Sequence, residues 1–567
     1  MYLCRIEIEN FRGIRSARLD IGETTVLIGE NDSGKTTLLE AICLILSPRP
    51  ESKSIVFRPQ DFFMVTGPTG YQPVGPLLIR LAFRERKPDE WSFMQQNELG
   101  LVLKDDRGVL QELTLEVKAN PDESGESTEA RWLIKVEGKS QLGYSDDPAI
   151  LAWIRRLNPV FRIRSGMLAN IPEENESIQE KETGSKIPSE EATKLEETIK
   201  LYYQSLISGI SPEGSAELQK GYRAALQYLG QVSNLLLHEG PQLEQIIYEI
   251  LGRKKSNQEY PGKKIGFRHG SAAEKIGMLL FTAAFLQSGS LMADPSAEPI
   301  LIIEDPEAHL HPMTLESVKL LIERLKWQKI ITTQSGSLLS GFPLEDIRRI
   351  SRHEGHIMQH WVQPGNLTHE ELRRLSYHVR MRQSTATFAR CWLLVEGESE
   401  VWLLPHLARL CGYDLALEGV VCIEFAQCGL PPLIKSAHLL GIDWFLLADG
   451  DAAGKAYIET ARHFASHYGV NPDDHCMRFR EKDIEHHLFF NGYAGIYQEY
   501  SGLTGHSSQN IQPRRIIGRA IHRNSKPFMA VAIVEAIARK DSPGVPPQLR
   551  KLIEACVRLA KEAPANK

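Results

Sequence analysis

Residues 29–36, Gly-Glu-Asn-Asp-Ser-Gly-Lys-Thr, constrain this chain more than any others, because they fit the pattern G-x-x-x-x-G-K-[ST]. Thr25–Ile28 before them reads as a strand, and Thr36–Leu46 after them has apolar residues at helical spacing. A glycine-bearing turn between strand and helix lets backbone N–H groups converge on a phosphate, with the helix N-terminus adding partial positive charge. Gly29, Asn31, Ser33 and Gly34 form the cradle in this reading, with Thr37 beside it. Lys35 reaches the β- and γ-phosphates, and the Thr36 hydroxyl ligates Mg²⁺.

A phosphate loop of this kind needs an apolar strand ending in acids, which Ile300–Asp305 (ILIIED) supplies. Glu304 is expected to hold magnesium through water, and Asp305 to orient the attacking water as general base. NFRGI near the start, paired with IIEDPEAHLHP, resembles the ABC ATPases of the RecF/SMC/OLD group. The resemblance implies ATP as ligand and head-to-head dimerisation, with a signature loop closing over the partner's nucleotide. Arg268–Glu274 is the matching stretch, and Ser271 with Gly270 are its candidate γ-phosphate contacts. Gln60 is a possible Q-loop residue, with a plain loop glutamine as the alternative. Where such proteins carry a switch histidine, this chain has Gln334, which can hydrogen-bond a phosphate or water but cannot become an imidazolium. Slow or regulated ATP turnover is therefore expected. His309 and His311 fit the D-loop region better than a metal site.

A second constellation follows. WLLVEGESE (392–400) is an apolar strand ending in Glu396 and Gly397, followed by Glu400, and Trp444–Ala448 is another strand, ending in Asp449-Gly450-Asp451. Parallel strands ending this way gather carboxylates at one sheet edge. Such carboxylates cannot all stay ionised without a cation, and hard oxygen donors favour Mg²⁺ or Mn²⁺ over zinc. The spacing resembles a TOPRIM domain, and the order of ATPase head then TOPRIM resembles the OLD (overcoming-lysogenisation-defect) family. The resemblance implies an α/β fold: an ABC-type head with an antiparallel meander and a helical insertion, then a Rossmann-like TOPRIM domain. It assigns Glu396, Glu400, Asp449 and Asp451 to two-metal phosphodiester hydrolysis, Glu485 to a later metal-holding acid, and Lys526 to a lysine that steadies transition-state charge. An exposed acid and an ordinary surface lysine are the alternatives for the last two. The Trp392 and Trp444 rings and the His486-His487 pair need no ligand to explain them.

PRRIIGRAIHRNSK (513–526) contains Arg514, Arg515, Arg519, Arg523 and Lys526 and no acid, a pattern suited to phosphate contacts and not to reading base edges. A solvated helix face is its alternative. The net charge of −6 does not decide the question, since local basic faces bind nucleic acid. The expected domains are 1–165, an insertion or dimerisation arm at 166–260, 261–375 and 388–567. Residues 173–198 read as weakly ordered, and 197–252 as helical. Eight cysteines without a CxxC pair point to a reducing cytoplasm. No apolar run approaches the ~18 residues of a membrane span. The function expected from the resemblance is an ATP-regulated DNA endonuclease or nickase of antiphage defence or DNA repair, homodimeric or larger, with a possible helicase-like or other defence partner. A nucleotide-gated DNA-binding or loading protein of RecF type, with an inactive TOPRIM, is the main rival. A strand-transfer enzyme would need a tyrosine nucleophile from among Tyr493, Tyr497 and Tyr500.

Overall fold

The computed structural model describes residues 1–47, 55–67, 70–87, 112–122, 127–137, 143–145, 148–164, 190–207, 218–226, 229, 272–288, 297–377, 384–503 and 511–562. They form two compact units: Met1–Phe342 with Glu354–Gln359, and Pro343–His353 with His360–Lys567.

The first unit is mixed α/β. Tyr2–Phe11 lies between Ile14–Asp20 and Leu77–Arg84, and Glu112–Ala119 and Arg131–Glu137 extend the same antiparallel run. The expected meander is therefore present, although 88–111 lies outside the described residues. Its strands alternate buried and half-buried positions, as a sheet with one wetter face requires. The other half is parallel: Thr24–Ile28, Gln328–Thr332, Ile300–Glu304 and Val160–Arg164 in that order. Ile300, Leu301, Ile302 and Ile303 are all at most 1% exposed, the continuous burial of a parallel strand covered on both faces. Register aligns Leu27, Thr332, Glu304 and Arg164 across these strands, so their C-terminal ends share one edge.

Residues 173–189 lie outside the described residues, but Glu190–Ile207 is a helix, which corrects the weakly ordered reading of 190–198. Its buried Leu195, Ile199 and Leu206 form a sparse apolar stripe that the polar average of the segment hides. Of the helical stretch 197–252, residues 197–207, 218–226 and 229 are described, and all are helical.

The second unit is built on four parallel strands in the order Val420–Glu424, Cys391–Val395, Asp443–Ala448, Cys476–Arg478. Helices Glu398–Leu410, Leu430–Leu439 and Ala452–His467 make the crossovers. Trp392 and Trp444 are core residues, 0% and 4% exposed, and the Trp392 Nε1–H donates to Ala386 O. Downstream, Pro513–Asn524, Lys526–Ile537 and Pro547–Glu562 pack their apolar faces onto a buried cluster that includes Leu393, Phe445 and Leu447.

A single buried side chain pins the first strand. Gln328 accepts from the Leu3 N–H at 3.0 Å and donates to Leu3 O at 2.7 Å and Gly22 O at 3.0 Å. Gln328→Leu keeps the volume but orphans buried backbone groups. It is expected to lower stability by about 1–3 kcal/mol, read as a shifted denaturant midpoint with unchanged m.

Candidate functional site

The phosphate loop is the expected strand–turn–helix, with the helix running Lys35–Leu46. Gly34 has φ +95, and a Cβ there would fall 2.5 Å from Ile357 Cδ1, so only glycine fits. Lys35 Nζ donates to Gly29 O, Glu30 O and Ser33 Oγ at 2.7, 2.8 and 3.2 Å, lying inside the loop where a phosphate would be met. Burial pulls its pKa below that of an ordinary lysine. Thr36 is exposed on the first helical turn and Thr37 is half-buried beside it.

Asp305 stands at φ +45 just past the strand end, and Thr332 Oγ1 donates to its carboxylate at 3.4 Å. Burial, then the charges of Glu307 and Glu304, raises its pKa. Gln334 Nε2 donates to Asn31 Oδ1 at 2.9 Å, so the side chain at the switch position touches the phosphate loop. Its backbone N–H and the Thr333 hydroxyl both donate to Glu307 Oε1 at 2.8 Å. Ser271 and Gly270 lie outside the described residues. Gln60 sits in a short turn, Pro59–Asp61. His311 caps the helix that follows it, accepting from Met313 N.

Two residues here, Arg162 and Lys275, stand outside the strings quoted above. Arg162, on the neighbouring strand, pairs with Glu304 and lies 3.8 Å from Glu40, while Arg12 pairs with Glu40 and, at 2.9 Å, with Asp61. The alternating chain Asp61–Arg12–Glu40–Arg162–Glu304 holds Glu304 in place from behind. Ion pairs this dry set position more than they add stability. Lys275, 8% exposed, donates to Asp305 O and Ala308 O, and burial lowers its pKa to about 8.

In the second unit each of the acids singled out above leaves the C-terminal end of a strand or opens the helix beyond it. Glu396 follows Cys391–Val395, and its carboxylate accepts from the Asp449 N–H at 2.9 Å. Asp451 caps Ala452–His467 through Gly454 N. Gly450 is packed against backbone: a Cβ there would fall 1.9 Å from Glu481 O. Glu400 is 5% exposed on the helix after Gly397. Glu485 accepts from Ser399 Oγ at 3.1 Å and faces Lys526 Nζ at 3.9 Å.

Electrostatics ties these groups into one cluster. Burial first, then Glu485 and Asp449, raises Glu400 to about 8 against the pull of Lys526. Burial, then Glu396, Asp483, Glu485 and Asp451, raises Asp449 to about 7, and Glu396 is raised by burial and Asp451. Asp483 is thus a member that the motif reading missed; it caps helix Ile484–Leu488 and binds His486 Nδ1 at 2.5 Å. An aspartate one residue ahead of a helix start was the available signal. His487 hydrogen-bonds Glu481 at 2.8 Å, so both histidines are held by acids.

Among the described residues no three Asp, Glu, His or Cys side chains already form a cage for an ion. Glu396, Asp451 and Glu485 are instead each turned onto a protein donor. The donor set nevertheless fits a hard divalent cation: it is all carboxylate, partly buried, and short of positive charge.

Tyr497 is 1% exposed, the Tyr493 hydroxyl donates to Gly544 O, and Tyr500 packs on Phe528, so none of the three is presented as a nucleophile.

A protein-family model described as "Protein of unknown function (DUF2813)" matches residues 1–386, and one described as "Overcoming lysogenization defect protein-like, TOPRIM domain" matches residues 387–451. The "Uncharacterized protein YbjD" of Escherichia coli (strain K12) is 31% identical over 577 residues, covering 99% of each chain. The "OLD nuclease" of Thermus scotoductus (strain ATCC 700910 / SA-01) is 40% identical over 60 residues, 11% of each chain. The solved C-terminal region of the Burkholderia pseudomallei OLD protein aligns at 18% identity and TM-score 0.26, covering 30% of this chain and 99% of that one.

Because Glu400 and Asp449 bind protons in the native state well above their unfolded pKa values, stability falls as pH rises through that interval. In EDTA the melting temperature is expected to drop between about pH 5 and pH 8, and Mg²⁺ or Mn²⁺ should restore it at the alkaline end. Asp449→Asn should flatten the slope and blunt the metal effect, as read by thermal denaturation across pH.

Proposed function

The chain belongs to the DUF2813 family and carries an OLD-like TOPRIM domain, and from that premise we propose that it is an ATP-binding, divalent-metal-dependent DNA endonuclease or nickase. The observation that carries this reading is the acid cluster: carboxylates from successive strand ends, with raised proton affinities, beside Lys526. A structural role would not crowd like charges at one edge, because each such pair costs stability unless a cation or a reaction uses it.

Glu396, Glu400, Asp449, Asp451 and Glu485 are the residues that would hold Mg²⁺ or Mn²⁺. Bound there, such ions prepare hydroxide and stabilise a departing oxygen. The protein's own groups then have defined tasks. Glu396 fixes the Asp449 backbone, Ser399 orients Glu485, and Lys526 offers a positive charge to a phosphoryl oxygen.

In the first unit, Gly29–Thr37 fits ATP. Lys35 must exchange its three loop acceptors for phosphate oxygens, and Gln334 reads the loop through Asn31. Glu304 and Thr36 would hold the nucleotide's Mg²⁺, with Asp305 placed as base. ATP-driven pairing of two heads, regulation of cutting by nucleotide, and a cytoplasmic role in antiphage defence or DNA repair belong to the same reading.

The test is cleavage of supercoiled plasmid with Mg²⁺ or Mn²⁺, with and without ATP. The native protein is expected to nick or linearise it. Asp449→Ala should abolish cutting, lowering the rate by at least about a hundredfold, while Lys35→Ala should remove only the ATP dependence. A native protein that binds ATP and DNA yet never cuts under any metal would replace this reading with the ATP-gated DNA-binding protein.

A further inference from the structure

Two helices beyond the sheet of the second unit, Pro513–Asn524 and Lys526–Ile537, meet at Ser525, whose φ of 70 and ψ of 158 lie where essentially only glycine is comfortable. The joint is clamped. Ser525 N donates to Ile521 O at 2.8 Å, Asn524 Nδ2 donates to Tyr500 O and Ala520 O, and Arg523 Nη1 donates to Ser501 O. Strain held this firmly needs a use, and its effect is to start the second helix with Lys526 at 3.9 Å from Glu485.

On the upstream side of the joint, Arg514, Arg515, Arg519 and His522 are exposed on a helix without a single acid. Gly518, between them, faces open space, with no atom within 4 Å of where a Cβ would stand, so a backbone can approach closely. On the downstream side, two residues past Lys526, Phe528 is 46% exposed and rests edge-on against Tyr500, with ring centroids 5.2 Å apart. Cations, then the lysine at the acid cluster, then an open aromatic face follow one another along the chain.

We propose that this helical pair is a track for single-stranded DNA, in which Arg515, Arg519 and Lys526 hold phosphates and Phe528 stacks an unpaired base beside the cluster. The proposal rests on the nuclease reading above and narrows its substrate. Phosphate contacts alone would serve a duplex equally, but a duplex keeps its bases stacked inside, out of reach of a surface ring. An exposed ring that follows a row of cations is the arrangement that rewards free bases.

The test is fluorescence anisotropy of the full chain in EDTA, so that nothing is cut, with one labelled oligonucleotide as a single strand and as its duplex. The single strand should bind more tightly. Phe528→Ala should weaken single-strand binding roughly tenfold and leave duplex binding unchanged, and Phe528→Trp should restore it. Arg519→Ala should weaken both forms and lower the salt slope by about one. Equal affinity for the two forms, or a Phe528→Ala loss that is absent or the same on both, overturns the proposal. Circular-dichroism melting confirms that each variant is folded. If Asp449-dependent plasmid cutting persists while Phe528→Ala changes nothing, the track falls and the nuclease stands; if the single-strand preference holds and nothing is ever cut, the track stands and the nuclease falls.

Discussion

Repulsion among carboxylates is the constraint on which the second unit depends. Parallel strands in register deliver their chain ends to a common edge, and here the ends carry Glu396 and Asp449, with Glu400, Asp451, Asp483 and Glu485 following. Packing then makes the crowding worse, because Gly450 lies against Glu481 O and Glu400 is almost fully covered. The protein offsets this charge partially, with the Asp449 N–H on Glu396, Ser399 on Glu485, His486 on Asp483 and the distant charge of Lys526. Burial first, and the remaining excess of negative charge after it, raise Glu400 to about 8 and Asp449 to about 7.

The first unit solves a related problem differently. Glu304 is as buried as Glu400, yet it meets a guanidinium, and Arg162 is in turn shared with Glu40 in a chain of alternating charge that reaches Asp61. An acid paired in this way is held in one orientation by a charge-assisted contact. Asp305 pairs with no guanidinium among the described residues, and burial raises its proton affinity, which would suit the base proposed above.

Much of this was legible in the sequence because it is local. A phosphate loop, an apolar strand ending in Glu-Asp, and Glu-Gly-x-x-Glu followed by Asp-x-Asp are strings whose chemistry depends on neighbours in the chain. The main strands were legible for the same reason, through continuous or alternating apolar residues. Partnerships across hundreds of residues were not: nothing in FRIR marks Arg162 as the partner of Glu304, and nothing in the sequence marks Lys275 as the donor under Asp305. The first part of the helix Glu190–Ile207, before residue 197, was hidden because buried residues are sparse among polar ones there, whereas averaged composition weighs all positions equally. Asp483 was overlooked because its role comes from where the chain returns after the last strand, not from any string it belongs to.

A divalent cation that binds this cluster, as proposed, must displace protons from it. Calorimetric titration of Mn²⁺ into the protein at about pH 6.5, repeated in buffers of different ionisation enthalpy, counts the protons released on binding. The account predicts release of about one proton or more, fading towards zero by about pH 9 and reduced in Asp449→Asn and Glu400→Gln. Binding without proton release at the lower pH, or unaltered by either substitution, would contradict it.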